Sequence, residues 1–545
     1  MTSLKLRMAV AHFGPRALAL LGFALAFAAG LFACRRSIFQ DEGAVVLNFA
    51  VGFWGFFSPL PYYDQAAPPL SMAVLSAIYH LVGGNLDLTR VGLLVLSMAF
   101  FAGTLLVALR RRDLGMVYGL LILLAIRPVL LNATELKQYI FEVMFAVALI
   151  LMHWARGRDY SPGYLAAFLA VALVSILFSF SSMFIVVPVM FDIIICRENK
   201  GRRLLWIGGA ALFCLVWVAT YLTLVKPLVA LQFINYGKEY GGLTLLNVLM
   251  NRDMTSLSIM LREVRGIGPH LFLVVAVPVL LLLWWRAPKP LKDRIWPPLS
   301  EALAARHAPA RLLLYVCGGL GALNLAGIYP FSTTRQLLYV SPVIALFLGW
   351  LTVRMLKAFG LSAPARILAL GVMIAPGMLY NLVEAERTSY VKTDVWDLYQ
   401  FIKKNGYKHV VSWVVFDPTI HVFYRDDTDK SFEVKGLLNP ASAPNLSVAE
   451  LKRRLEADDD DIPNQLWSVL KREEDFRTYV DWVVRRVTRN AVTLIATVEI
   501  FPYQEVQLMD ALKAAGCTGK AVFEEKAVKA FEVHCDGPAP PRPAQ

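Results

Sequence analysis

Apolar runs of span length recur along most of this chain, separated by short polar stretches, and this pattern limits the fold more than any other feature. A bilayer core of roughly 30 Å takes about twenty predominantly apolar residues per helical span. Segments 14–34, 91–109, 114–132, 137–155, 163–180, 182–196, 204–225, 270–285, 311–328, 337–353 and 366–383 meet that need. The sequence therefore predicts a polytopic α-helical membrane protein with about eleven transmembrane helices. The fifth and sixth are divided only by the polar break FSFSSMF. With 545 residues, 57% of them hydrophobic and 17% charged, the chain is too apolar for an ordinary globular protein and too long for one domain.

Positive residues resist translocation, so their placement orients the spans. They cluster in alternate loops, at Arg110-Arg111-Arg112, Arg156 and Arg158, Arg197 to Arg203, Lys289 to Arg306, and Arg354 to Arg366. These loops are expected inside, with the N-terminus. The net charge of +13 is then mostly a topology signal, and nucleic acid is not an expected partner. The first span is read as a retained anchor; the alternative, a cleaved leader, fits poorly because Phe32 and Arg35 flank the would-be cleavage box.

An odd number of spans leaves everything after about Glu384 outside. There the composition changes: strand-like VVSWVVF and VTLIATVEI alternate with helix-like TDVWDLYQFIKKN and QEVQLMDALKAAG. The expected domains are a transmembrane domain over 1–383, an α/β extracytoplasmic domain over 384–535, and a disordered Pro-rich tail over 536–545. Cys517 and Cys535 are the one cysteine pair in the outer domain, flanking two expected strands, and an oxidising compartment favours a disulfide between them. The other four cysteines lie in or beside spans. No CxxC, HExxH, P-loop or GxSxG motif is present. Neither a metal site nor a cofactor is expected, and the acidic run Asp458–Asp461 lacks the spacing of a calcium loop.

The polar chemistry concentrates on the outer side. Asp41 and Glu42 directly follow the first span, in SIFQDEG. Then come EGAVVLNFAVGFWGFF, read as an aromatic-rich interfacial helix, the break SPLPYYDQAAPPL, and SMAVLSAIYHLVG, a second helix of interfacial length. Further on, TELKQYIFE and FSTTRQLLYVSPVIALFLG each place charged residues at an outer helix end.

A DE pair in the first outer loop, interfacial helices around a PPL motif, an Arg entering the second span, an E-x-[KR]-x-Y element and a late R-x-L-L-x-x-x-P helix together resemble the GT-C superfamily. Those enzymes are polyprenyl-phosphate-sugar glycosyltransferases, and the likeness is to the bacterial branch similar to aminoarabinose transferases and protein O-mannosyltransferases. It spans roughly residues 14–383 in order and topology. Many relatives have a basic residue before the prolines; Ala67 stands there here, so that residue's role does not carry over, and Asp64 and Gln65 are the nearby polar groups.

The resemblance implies an inverting glycosyltransferase that works on the periplasmic side of a bacterial inner membrane. Its donor would be a polyprenyl-phosphate-linked sugar, and its acceptor an extracytoplasmic glycolipid, envelope glycan or protein. The residues suit that chemistry. A carboxylate must take the acceptor hydroxyl's proton, and cations must stabilise the departing phosphate. Asp41 is the expected base, with Glu42 orienting it; a solvated acid or a helix cap is the plainer reading. Arg335, Arg90 and Lys137 are the expected phosphate ligands, against simple snorkelling to lipid headgroups. Glu135, Gln138, Tyr139 and Glu142 repeat at helical spacing as a cavity-lining face, the competitor being a structural Glu142–Arg127 pair. Asp192 reads as structural. The outer loop 227–269, with Lys238, Arg252, Arg262 and Arg265, suits a lid over an anionic lipid. A lipid or glycan transporter or flippase is the alternative, but internal repeats are missing.

Overall fold

The computed structural model describes residues 2–35, 40–58, 60–62, 67–155, 161–195, 201–226, 243–286, 308–327, 329, 331, 334–389, 394–413, 418–436, 438–439, 453, 462–463, 473–498, 500, 502–525 and 528–535. The chain forms two compact units. One comprises Met1–Arg35, Pro68–Thr223 and Lys238–Ser389; the other comprises Arg36–Ala67, Leu224–Gly237 and Tyr390–Gln545.

The first unit is helical. Among the described residues, Phe13–Ala33, Leu86–Arg110, Arg203–Val225, Arg335–Ala358 and Ala363–Arg387 are long and apolar enough to cross a membrane. Met254–Gly266 and His270–Leu283 form a further pair, bent by 79°. Shorter apolar helices are Pro69–Leu81, Leu114–Leu124, Tyr139–Trp154, Pro162–Phe178, Phe180–Ile195 and Pro309–Leu325. The expected span 114–132 is broken into Leu114–Leu124 and Arg127–Asn132, because Pro128 has no amide to continue the ladder and instead sits in the first turn of the new helix. The break FSFSSMF is present: Ser179 is extended and a 3₁₀ turn, Phe180–Ser182, leads into Met183–Ile195. Leu114–Leu124 is buried along its length and packs on Ser341–Ala358. A side chain at Gly349 would collide with the backbone of Gly119, so small residues let these two helices touch.

Three helices are tied by one buried carboxylate. Asp192 takes His153 Nε2 at 3.1 Å on one oxygen and Arg311 Nε at 2.5 Å on the other, with a second Arg311 nitrogen at 3.0 Å. Its structural reading from sequence agrees with this position.

The second unit is α/β. Its strands are β1 His409–Ser412, β2 Glu433–Lys435, β3 Leu438–Asn439, β4 Ile462–Pro463, β5 Val492–Val498, β6 Cys517–Glu525 and β7 Val528–Cys535. The main sheet has the order β2-β1-β5-β7-β6; β1 runs parallel to β2 and β5, and β7 antiparallel to β5 and β6. Val395, Leu398, Tyr399 and Ile402 recur at helical spacing along Asp394–Asn405 and enter one core with Trp413, Tyr479, Trp482, Leu508 and Leu512. Cys517 and Cys535 face each other across β6 and β7 and are joined by a disulfide. Asp427 accepts from Tyr399 Oη at 2.7 Å and Lys403 Nζ at 2.9 Å. Burial pulls its carboxyl up, and these two donors outweigh that, leaving it below the usual carboxylate range.

Three features differ from the sequence reading. The boundary expected at 383/384 falls inside the helix Ala363–Ser389, so the second unit begins after it. Residues 36–67 cluster with the C-terminal unit. Their first helix, Gln40–Leu47, is no interfacial helix: Glu42 through Asn48 are all buried, and it packs on Pro418–Asp426. Ala44-Val45-Val46-Leu47 is apolar all round, which suits a buried helix. The interfacial character stays with Phe53, Trp54 and Phe57, a mutually packed and exposed aromatic group. The loop expected over 227–269 is helical at Leu245–Asn251 and Met254–Gly266. Lys238, the run Asp458–Asp461 and the tail 536–545 lie outside the described residues.

Candidate active site

In the helical unit, the chain turns tightly before Tyr139–Ala155: the Lys137 amide reaches the Glu135 carbonyl at 2.6 Å. This turn sends the Glu135 carboxylate to Arg335, with Oε1 3.2 Å from Nη1. Arg335 opens the 3₁₀ helix Arg335–Val340, whose Leu337 to Val340 are buried and which runs on into Ser341–Ala358. The structure thus brings together two residues that lie 200 positions apart and were expected in one site.

Lys137 is buried, with its ammonium 6.0 Å from the Tyr139 ring. Arg90 is fully buried in the first turns of Leu86–Arg110, a helix whose start is fixed by the Asn85 side chain accepting from the Leu88 amide at 2.9 Å. Burial of this degree does not fit snorkelling to headgroups, which keeps the charged end in the wet interface. Gln138 and Tyr139 are half-buried. Glu142 is buried, and Ser181 of the polar break lies near its carboxylate. Its expected competitor, Arg127, pairs instead with Glu384 at 3.2 Å and lies beside Tyr380.

The paired acids belong to the other unit. Asp41 is on the helix Gln40–Leu47, and its side chain lies outside the described residues, as do Asp64 and Gln65 entirely. Glu42 is fully buried. Both acids occupy the first turn, where negative charge is favourable to the helix dipole. The far end of this helix is held by Arg425, which donates to the carbonyls of Val46 at 3.3 Å and Leu47 at 3.4 Å. Asn48 then bonds to Ala44 O at 2.8 Å and exchanges two hydrogen bonds with the Tyr62 backbone. Tyr62 meets His421 edge-on at 5.7 Å.

Sequence reasoning missed the partners of the Arg335 turn. Glu263, on Met254–Gly266, bonds to Thr334, the residue before Arg335. Nothing local in LREVRG signals a contact 71 positions away. Arg262 is exposed beside it, and Arg252 ends the preceding helix in a left-handed conformation.

Solved structures share this fold. Crystal structures of ArnT from Cupriavidus metallidurans, one in the apo state and one bound to undecaprenyl phosphate, match with TM-scores of 0.54 and 0.52. Each match covers 94% of this chain and 97% of the other at 13% identity, so the likeness is one of fold. A scan against protein-family models gives no match, and a search of curated proteins finds none either. The GT-C resemblance read from the motifs is thus accompanied by an ArnT-like fold over nearly the whole chain.

Proposed function

We propose that this chain is a membrane glycosyltransferase that moves a sugar from a polyprenyl-phosphate donor to an extracytoplasmic acceptor. The Glu135–Arg335 pair, two residues from buried Lys137 in an ArnT-like fold, carries the reading. Undecaprenyl phosphate bound to one ArnT structure supports a lipid of that class as the partner. The basic inner loops support a periplasmic active side and about eleven spans.

In this mechanism Arg335, Arg90 and Lys137 hold the donor phosphate. Asp41 takes the proton of the acceptor hydroxyl as its oxygen bonds to the anomeric carbon. The bond from that carbon to the phosphate oxygen breaks, its electron pair leaves with polyprenyl phosphate, and the anomeric centre inverts. Glu42 orients Asp41, while Gln138, Tyr139 and Glu142 line the cavity beside Glu135. Buried cations suit a developing phosphate charge because they act in a water-poor site and need no reorganisation.

Mass spectrometry of envelope glycolipids tests the proposal. A sugar modification should vanish in a deletion strain and return with the wild-type gene but not with Arg335→Ala. Unchanged modification, with the lipid-linked donor redistributed across the membrane, would favour transport instead.

A further inference from the structure

The turn that presents Arg335 is fastened at both ends by one distant segment. At its start, Glu263 Oε2 accepts the Thr334 amide at 2.7 Å and the Thr334 hydroxyl at 2.8 Å, and that hydroxyl also lies 3.2 Å from the Glu263 carbonyl. At its end, Ser341 Oγ donates to the Ile267 carbonyl at 2.9 Å. The helix Arg335–Val340 therefore runs between two anchors supplied by residues 263 and 267.

Such anchoring matters for this element. A 3₁₀ helix has poorer internal hydrogen bonds than an α-helix and leaves its first amides unsatisfied. A carboxylate at its start supplies an acceptor and opposes the positive end of its dipole. Glu263 Oε1 faces Arg262 at 3.1 Å, so both oxygens of the carboxylate are engaged. Gly266 permits the approach, since a Cβ there would stand 2.5 Å from Thr334 Oγ1. Arg335 is the next residue after Thr334, so the backbone held at Thr334 sets the point from which the Arg335 side chain reaches Glu135.

We propose that Glu263 is a positioning residue for Arg335, so that capture of the donor phosphate depends on the helix Met254–Gly266. The assignment rests on the phosphate role of Arg335 proposed above. Glu263 itself touches no substrate; it sets the direction from which Arg335 meets the phosphate, and Glu135 sets the other.

The test is the affinity of the purified full-length protein for undecaprenyl phosphate, used as the probe. Glu263→Ala should raise Kd about tenfold, while Glu263→Gln, which keeps an acceptor for Thr334, should stay within about threefold of wild type. In an Arg335→Ala background, Glu263→Ala should add less than about twofold, because residues acting through one another are not additive. Gly266→Ala, which crowds the Thr334 hydroxyl but leaves the carboxylate intact, should also weaken binding and serves if Glu263→Ala does not fold. If Arg335→Ala weakens binding while both Glu263→Ala and Gly266→Ala bind like wild type, or if the effects simply multiply, the positioning role is refuted and the phosphate role stands. If Arg335→Ala itself binds like wild type, the phosphate role fails and this inference fails with it.

Discussion

Arg335 Nη1 stands 3.2 Å from Glu135 Oε1, and the arginine side chain is 32% exposed where the glutamate is 5% exposed. A guanidinium carries five N–H donors in a planar fork, more than one carboxylate oxygen takes, so Glu135 can orient the group while other donors meet a phosphate. Glu135→Ala should raise the Kd for undecaprenyl phosphate about tenfold, or ~1.4 kcal/mol. Glu135→Gln, which preserves a neutral acceptor, should fall between. Titration of the three proteins side by side checks the order, and equal affinities would remove Glu135 from the site.

Asp192 has a different kind of role. With His153 and Arg311 on its two oxygens and 1% exposure, it joins three helices through a buried ionic cluster. Removing one member of such a cluster strands charge and typically costs about 3–5 kcal/mol. Asp192→Ala should therefore lower the yield and thermal midpoint of the purified protein, while the fraction that remains folded binds undecaprenyl phosphate like wild type. Normal thermal stability with lost binding would instead put Asp192 in the functional site.

Arg425 fastens the carboxylate-bearing helix to the C-terminal unit through the carbonyls of Val46 and Leu47. A charged donor at a helix C-terminus satisfies orphan carbonyls and suits the dipole, with each charged hydrogen bond contributing about 1.5–3 kcal/mol. Arg425→Ala should speed amide hydrogen exchange across Glu42–Asn48 by at least about tenfold and leave Asp394–Asn405 unchanged. Unaltered exchange in the first segment would show that the remaining packing holds it alone.

Much of this architecture is legible in the chain because hydropathy and helical periodicity are local signals. Most of the apolar runs appear as helices near their expected places, with 114–132 the broken one, and His409–Ser412, Val492–Val498, Asp394–Asn405 and Pro502–Ala514 are strands and helices where the sequence expects them. The sequence placed Glu135 and Arg335 in one site through motif order, but their pairing was not read from it, since nothing local joins residues so far apart. The burial of Gln40–Leu47 against Pro418–Asp426 was misread: an apolar, aromatic-rich segment beside a membrane looks alike whether lipid or a protein core covers it. The Glu263–Thr334 anchor and the His153–Asp192–Arg311 cluster were out of reach for the same reason, because each depends on tertiary contact between helices with no shared pattern.

Transfer chemistry at the first outer loop is the central claim, and turnover with a lipid-linked sugar donor and a matched acceptor tests it most directly. Asp41→Asn keeps the size and much of the hydrogen bonding of the side chain but removes its basic carboxylate. General-base catalysis contributes about 10²–10⁴, so turnover by the purified variant should fall at least about a hundredfold while undecaprenyl phosphate binds with wild-type affinity. Turnover retained by Asp41→Asn but lost by Glu42→Gln would move the base to Glu42. Full turnover in both variants would contradict the account.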